Sequence, residues 1–219
     1  MYDVNHAFLW DLDGTIVDTK DCHFFTWESA LNMHGFELDR DVYGMNFGRN
    51  NNALAPLFLG FDPDDDLLEA LIDHKETLFR QIAPKQTELV HGVRTWLSTA
   101  AGMNIKQAIA SSAPIENITT MLAHFELERY FNTIISGTYL PAKPEPDIFL
   151  KAAQDLRCSP VNCLVIEDSI AGVKAAKNAG MHCVAVSTSH SREELFQADI
   201  VVDDFTGSLN EIFPALGWV

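Results

Sequence analysis

The chain has 219 residues, 47% of them apolar, and its 31 acidic side chains against 15 Lys and Arg give a net charge of −16 at pH 7. A core for one domain plus a smaller insertion is within reach of this length, while a surface so acidic repels nucleic acid and anionic lipid. No run of about 20 apolar residues is present to span a bilayer.

The first ten residues lack the basic start and apolar run of a secretion signal. The four cysteines, Cys22, Cys158, Cys163 and Cys183, show no CxxC spacing. Free thiols in a cytoplasmic protein are therefore expected.

Residues 6–12 form a short apolar run that reads as a strand. From Thr19 to about Glu88 no strand pattern is found, only helical ones at Lys20 to His34 and Leu67 to Ile82. The acidic cluster Asp62 to Asp66 lies where a helix begins and suits the positive end of its dipole. From Gly92 onward, short Val- and Ile-rich runs alternate with amphipathic stretches. The runs are Ile105 to Ser111, Asn132 to Ser136, Cys163 to Asp168, His182 to Ser187 and Asp199 to Asp204. Apolar on both faces, they suit parallel strands covered on each side. Helices are expected at Pro146 to Leu156 and Ser169 to Ala179, the second closed by Gly180. The repeat of strand and helix predicts an α/β fold, a Rossmann-like doubly wound parallel sheet. Residues 1–17 and 89–219 would form this core and residues 18–88 an inserted α-helical cap domain.

In such sheets ligands bind beyond the carboxyl ends of the strands. Polar residues gather at those ends: Asp11 and Asp13 after the first, Ser111 and Ser112 after the next, Glu167 and Asp168 after the fourth. Lys143 lies in the loop leaving the third. Carboxylates meeting at one rim repel one another unless a cation lies between them, and oxygen ligands of this kind suit Mg²⁺.

Asp11-Leu12-Asp13-Gly14-Thr15, the strand-ending Ser111, Lys143 to Phe149 (KPEPDIF) and Ile166 to Gly180 (IEDSIAGVKAAKNAG) resemble, in order, the four motifs of the haloacid dehalogenase superfamily. The resemblance is to its phosphatase and β-phosphoglucomutase-like branch, and it covers essentially the whole chain. It implies that Asp11 is a nucleophile forming an aspartyl phosphate. Asp13 would be a general acid and base, with Lys143 and Ser111 steadying the phosphoryl oxygens. It also implies Mg²⁺ held by the Asp11 carboxylate, the Asp13 carbonyl and Asp168, with Glu167 behind them.

In the cap, His23, Arg49 and Lys75 match polar positions of the β-phosphoglucomutase family, and Trp27 stands one helical turn from His23. Arg49 and Lys75 read equally well as a solvated face, and Trp27 as cap core. Ser112 is read both as the cap of the following helix and as a substrate-facing hydroxyl. Where that family carries a Ser-Lys-Asn grip on a second phosphate, this chain has Ala113, Pro114 and Ile115. The departure favours water as phosphoryl acceptor.

The expectation is thus a Mg²⁺-dependent phosphatase acting on a small phosphorylated metabolite such as a sugar phosphate. A sugar phosphomutase is the first alternative, and a dehalogenase or a catalytically silent binding protein are further ones. Neither nucleic acid nor membrane is an expected partner, and a monomer or weak homo-oligomer is expected.

Overall fold

The computed structural model describes residues 6–218. In chain order its elements are β1 (Ala7–Trp10), β2 (Val17–Asp18), α1 (Lys20–Met33), α2 (Arg40–Asn46), α3 (Asn51–Leu59), α4 (Asp65–Gln86), β3 (Glu88–Leu89), α5 (Val93–Gly102) and β4 (Lys106–Ser111). There follow α6 (Ile115–His124), β5 (Thr133–Ser136), α7 (Asp147–Leu156), β6 (Cys163–Glu167), α8 (Ile170–Asn178), β7 (His182–Val186), β8 (Ile200–Val202) and α9 (Leu209–Ala215).

Six strands pair in parallel in the order β5-β4-β1-β6-β7-β8. The alternating side chains of β1 show why these runs are apolar throughout. Phe8 and Trp10 enter the apolar cluster on one face of the sheet, and Ala7 and Leu9 the cluster on the other. Each large side chain so buried contributes about 1.5–3 kcal/mol. Since β1 lies between β4 and β6, the chain reverses its winding direction there, and the carboxyl ends of the three strands form one rim.

The expected strands are all present, each within a residue or two of its predicted bounds. Three differences concern the inserted segment. Val17 pairs with Leu89 and Asp18 with Glu88 in a small antiparallel ribbon, too short to leave a periodic signature. Helices α2 and α3 were hidden by their brevity and by Pro56 inside α3; their starts are set by Asp39 and Asn50, whose side chains accept backbone N–H groups. Helix α4 runs past the expected Ile82 to Gln86, with Pro84 in its final turn.

Asp64 caps α4 by accepting from the Leu67 N–H at 2.9 Å, with Asp65 and Asp66 in the first turn, as the dipole argument expects. The four helices close on their own apolar cluster, which includes Phe24, Trp27, Leu31, Tyr43, Leu54 and Leu71.

At the C-terminal end Trp218 folds back among Phe8, Phe213 and His6, and Val219 lies outside the described residues. Cys22, Cys163 and Cys183 are buried free thiols. Among the described residues no helix is long and apolar enough to cross a membrane.

Candidate active site

Asp11 follows β1 directly, and its backbone N–H still bonds to the Ile166 carbonyl, so the sheet itself fixes its position. One carboxylate oxygen lies 2.5 Å from the Lys143 ammonium, which also reaches Glu167 Oε1 at 2.7 Å. Lys143 is 1% exposed. Burial alone would lower the pKa of this ammonium, but the charges of Asp11 and Glu167 hold it well above the usual lysine value. Burial pushes the Asp11 carboxyl up to about 8, Lys143 pulling against the rise and Glu167 and Asp13 adding to it. One ammonium thus only partly offsets the burial of this carboxylate.

Glu167 is held from behind. Its Oε2 accepts from the Asp168 N–H, the Ser169 N–H and the Ser169 hydroxyl, all at 2.8–2.9 Å. With Oε1 on Lys143, Glu167 bridges the lysine to the start of α8. Asp168 accepts from the Thr15 hydroxyl through Oδ1 at 3.2 Å, whereas Oδ2 is buried with no hydrogen-bond partner. Burial, with Glu167 and Asp11 nearby, raises its pKa well above the ordinary carboxylate value.

That orphaned oxygen, close to the buried Asp11 carboxylate, is a feature that a divalent cation would satisfy. Among the described residues no three His, Cys, Asp or Glu side chains converge as a ready-made metal cage. The donor set fits Mg²⁺, which takes one or two carboxylates and fills its remaining positions with substrate oxygens and water. Gly14, at φ +83°, leaves the space, since a Cβ there would sit 2.0 Å from Asp168 Oδ2.

Asp13 turns the other way, toward the inserted helices. Its Oδ1 accepts from the Thr19 hydroxyl at 2.8 Å and pairs with His23 Nε2 at 3.0 Å, and Ser111 Oγ lies 3.5 Å from Oδ2. Burial works to raise its pKa, but His23 and Thr19 outweigh that and leave it below the usual value. Two neighbouring aspartates therefore have opposite environments, the arrangement that separates acid–base roles.

A cleft of about 40 Å³ joins these groups to the inserted helices. Asp11, Asp13, Ser111 and Ser112 line it from the core, and His23, Trp27, Arg49 and Lys75 from the helical side. The sequence-predicted residues are thus brought together, except that Lys143, Glu167 and Asp168 stand behind the lining.

Three readings are corrected. Lys75 is not on a solvated face: it is 2% exposed, 2.7 Å from Glu76 and stacked over Phe79. Arg49 is half-buried in the lining rather than solvated, and forms no ion pair with any described residue. Ser112 does not cap α6, whose N-cap is Pro114 with no side-chain bond; its hydroxyl donates to the Gly48 carbonyl at 2.8 Å and ties core to insertion. Trp27 serves twice, lining the cleft and packing against Phe58.

Sequence reasoning missed Glu76, Asn51, Asn117 and Phe79. Glu76 is 3% exposed and accepts from Lys75, Asn51 and Asn117, which draws helices α4, α3 and α6 together. Phe79 stacks on the His23 ring at 4.1 Å and fixes its orientation. A Lys-Glu dipeptide within an amphipathic helix carries no signal of burial.

Residues 8–186 match the family model of the haloacid dehalogenase-like hydrolases. The chain is 32% identical over 204 residues to a β-phosphoglucomutase of Bacillus subtilis, covering 90% of this chain and 88% of that one. It is 30% identical over 193 residues to the fructose-1-phosphate phosphatase YqaB of Escherichia coli, covering 85% and 98%. Among solved structures it is similar to a β-phosphoglucomutase from Clostridium difficile, with a TM-score of 0.88, 25% identity and 97% of each chain covered. It is also similar to CbbY from Rhodobacter sphaeroides in complex with phosphate, with a TM-score of 0.83, 25% identity and 94% and 98% covered.

Proposed function

The chain belongs to the haloacid dehalogenase-like hydrolase family, as an enzyme of its phosphatase kind related to sugar phosphomutases, and on that footing we propose a Mg²⁺-dependent phosphatase. Its substrate is a small phosphomonoester, a sugar phosphate, hydrolysed through an aspartyl phosphate on Asp11. The observation that carries this reading is the pairing of environments at one rim: Asp11 against Lys143 at 2.5 Å, and Asp13 against His23 at 3.0 Å.

Asp11 attacks phosphorus in line, its carboxylate oxygen forming the new P–O bond as the bond to the alcohol breaks. The departing alkoxide takes a proton from the hydrogen-bonded Asp13 and His23 pair. In the second half Asp13, whose depressed pKa suits it to be a base, takes a proton from the water that attacks the aspartyl phosphate. Phosphate leaves, and Asp11 is restored. Lys143 offsets charge on Asp11 throughout, and the Ser111 hydroxyl donates to a phosphoryl oxygen. Asp11, the Asp13 carbonyl and Asp168 would hold Mg²⁺, which when bound supplies positive charge against the phosphoryl oxygens.

Residues 18–88 act as the cap domain on a core of residues 1–17 and 89–219, with the β2 and β3 ribbon as the paired crossing between them. A cleft of about 40 Å³ admits only a few waters. The cap therefore opens to load substrate and closes to exclude solvent.

The relatives include both a mutase and phosphatases. What favours hydrolysis is the core wall beside Ser111, where Ala113 lines the cleft without a donor. Nearby Asn117 is already committed, donating to Glu76 and accepting from Arg80. Little remains on that wall to hold a second phosphate.

The test is hydrolysis of p-nitrophenyl phosphate with Mg²⁺, with EDTA, and in Asp11→Asn. Activity is expected only in the first. A metal-independent rate, or an unchanged rate in the variant, would overturn the reading. Conversion of β-glucose 1-phosphate with trace bisphosphate to glucose 6-phosphate, without release of phosphate, would replace it with the mutase.

A further inference from the structure

We infer that Glu76 selects the alcohol half of the substrate, accepting a hydrogen bond from a hydroxyl of an uncharged polyol and turning away an alcohol that bears a second phosphate. The inference rests on the phosphatase reading above and narrows it to monoesters of neutral polyols. Glu76 lines the same cleft as Asp11 and Asp13. Its Oε1 is filled by Lys75 and Asn51, while Oε2 receives only Asn117. A carboxylate oxygen has two acceptor directions, so Oε2 keeps one for a ligand hydroxyl.

The carboxyl is ionised at neutral pH: burial works to raise its pKa, but Lys75, His23 and the hydrogen bonds hold it below the usual glutamate value. The same contact engages Lys75, which sequence alone offered as an anion-binding cation. Among the basic residues lining the cleft, only Arg49 is then left without an ion pair to a described residue.

Glu76 also lines a second space, a groove of about 740 Å³. Asp65, Glu69, Asp73 and Glu116 line that groove with Glu76, against the one cation Arg80. A substrate reaching past Glu76 thus enters a field of like sign to a phosphate. An excluded anion is a specificity device of the repulsive kind, effective without any new attractive contact to the preferred ester.

The experiment measures phosphate release by the full chain with Mg²⁺ from matched pairs, fructose 1-phosphate against fructose 1,6-bisphosphate and glucose 1-phosphate against glucose 1,6-bisphosphate. For the pairs turned over, the monophosphate is expected to be preferred by about tenfold or more in kcat/KM, the scale of one unfavourable charge contact. Glu76→Gln should narrow that ratio by about tenfold, chiefly through a lower KM for the bisphosphate.

Equal kcat/KM for both members of a pair in the unaltered enzyme, or an unchanged ratio in a folded Glu76→Gln, would overturn the inference and leave the phosphatase standing. If that variant does not fold, the ratio in the unaltered enzyme decides. No release from any of these esters or from p-nitrophenyl phosphate would remove the phosphatase reading, and the inference with it.

Discussion

The Lys143 ammonium stands 2.5 Å from the Asp11 carboxylate and 2.7 Å from Glu167, with almost no access to solvent. Removing the cation leaves buried carboxylates facing one another. Lys143→Met, close in volume, is expected to lose about 3–5 kcal/mol of stability, the usual consequence of breaking a buried ion pair from one side. Its turnover should fall by about 10²–10³-fold, as when one electrostatic donor is deleted from a reaction centre. Urea unfolding and p-nitrophenyl phosphate hydrolysis measure the two effects. A variant as stable and active as the parent would remove Lys143 from both roles.

Gly172 tests the same pair from further away. A Cβ at this position would meet Glu167 Oε1 at 1.8 Å, and Glu167 cannot withdraw freely because Ser169, Asp168 and Lys143 all hold it. Gly172→Ala is therefore expected to destabilise by about 1–3 kcal/mol, as overpacking does. Turnover should fall at least tenfold, because the displaced carboxylate no longer orients Lys143. Alanine normally strengthens a helix interior relative to glycine by about 0.5–1 kcal/mol, so a stabilised, fully active variant would show that Glu167 has room to move.

Asp168 provides a readout for metal that does not depend on turnover. Its buried, unpartnered Oδ2 and raised pKa make the metal-free carboxylate a liability. Mg²⁺ at about 100 times its dissociation constant stabilises by about 2.7 kcal/mol, which for a chain of this size is a rise of about 5–10 °C in Tm. In Asp168→Asn the rise should largely vanish, while the metal-free variant melts no lower than the parent. Equal Mg²⁺ shifts in both proteins would remove Asp168 from the ligands.

The core was legible because its chemistry is written in short stretches. Asp11 and Asp13 follow an apolar run, and parallel strands bring such ends to one rim, so Ser111 and Asp168 could be placed near them from order alone. The insertion was less legible. Its two outer helices, α2 and α3, are short and set by caps, and the β2 and β3 ribbon is two residues long on each side. Burial of Lys75 and Glu76 depends on α4 packing against α1 and α6, which no local pattern encodes. Ser112 was misread for a similar reason: its partner, the Gly48 carbonyl, is far away in sequence.

Glu76 also predicts how stability responds to acid. Its pKa in the folded chain lies below the ordinary 4.5, since Lys75, His23 and Asn51 outweigh the upward push of burial. A depressed folded value means the unfolded chain binds the proton more readily. The contribution of Glu76 is therefore present above the unfolded pKa and lost as pH falls through the folded one. At pH 7 the parent is expected to exceed Glu76→Gln by about 1–3 kcal/mol, the range for a buried hydrogen-bonded charge. Below about pH 4.3, the unfolded glutamate value, that gap should shrink. Urea unfolding of both proteins from pH 7 down to pH 3.5 measures it. A gap that stays constant across the range would mean the carboxyl is not ionised in the fold, and a gap that widens in acid would reverse the sign of the argument.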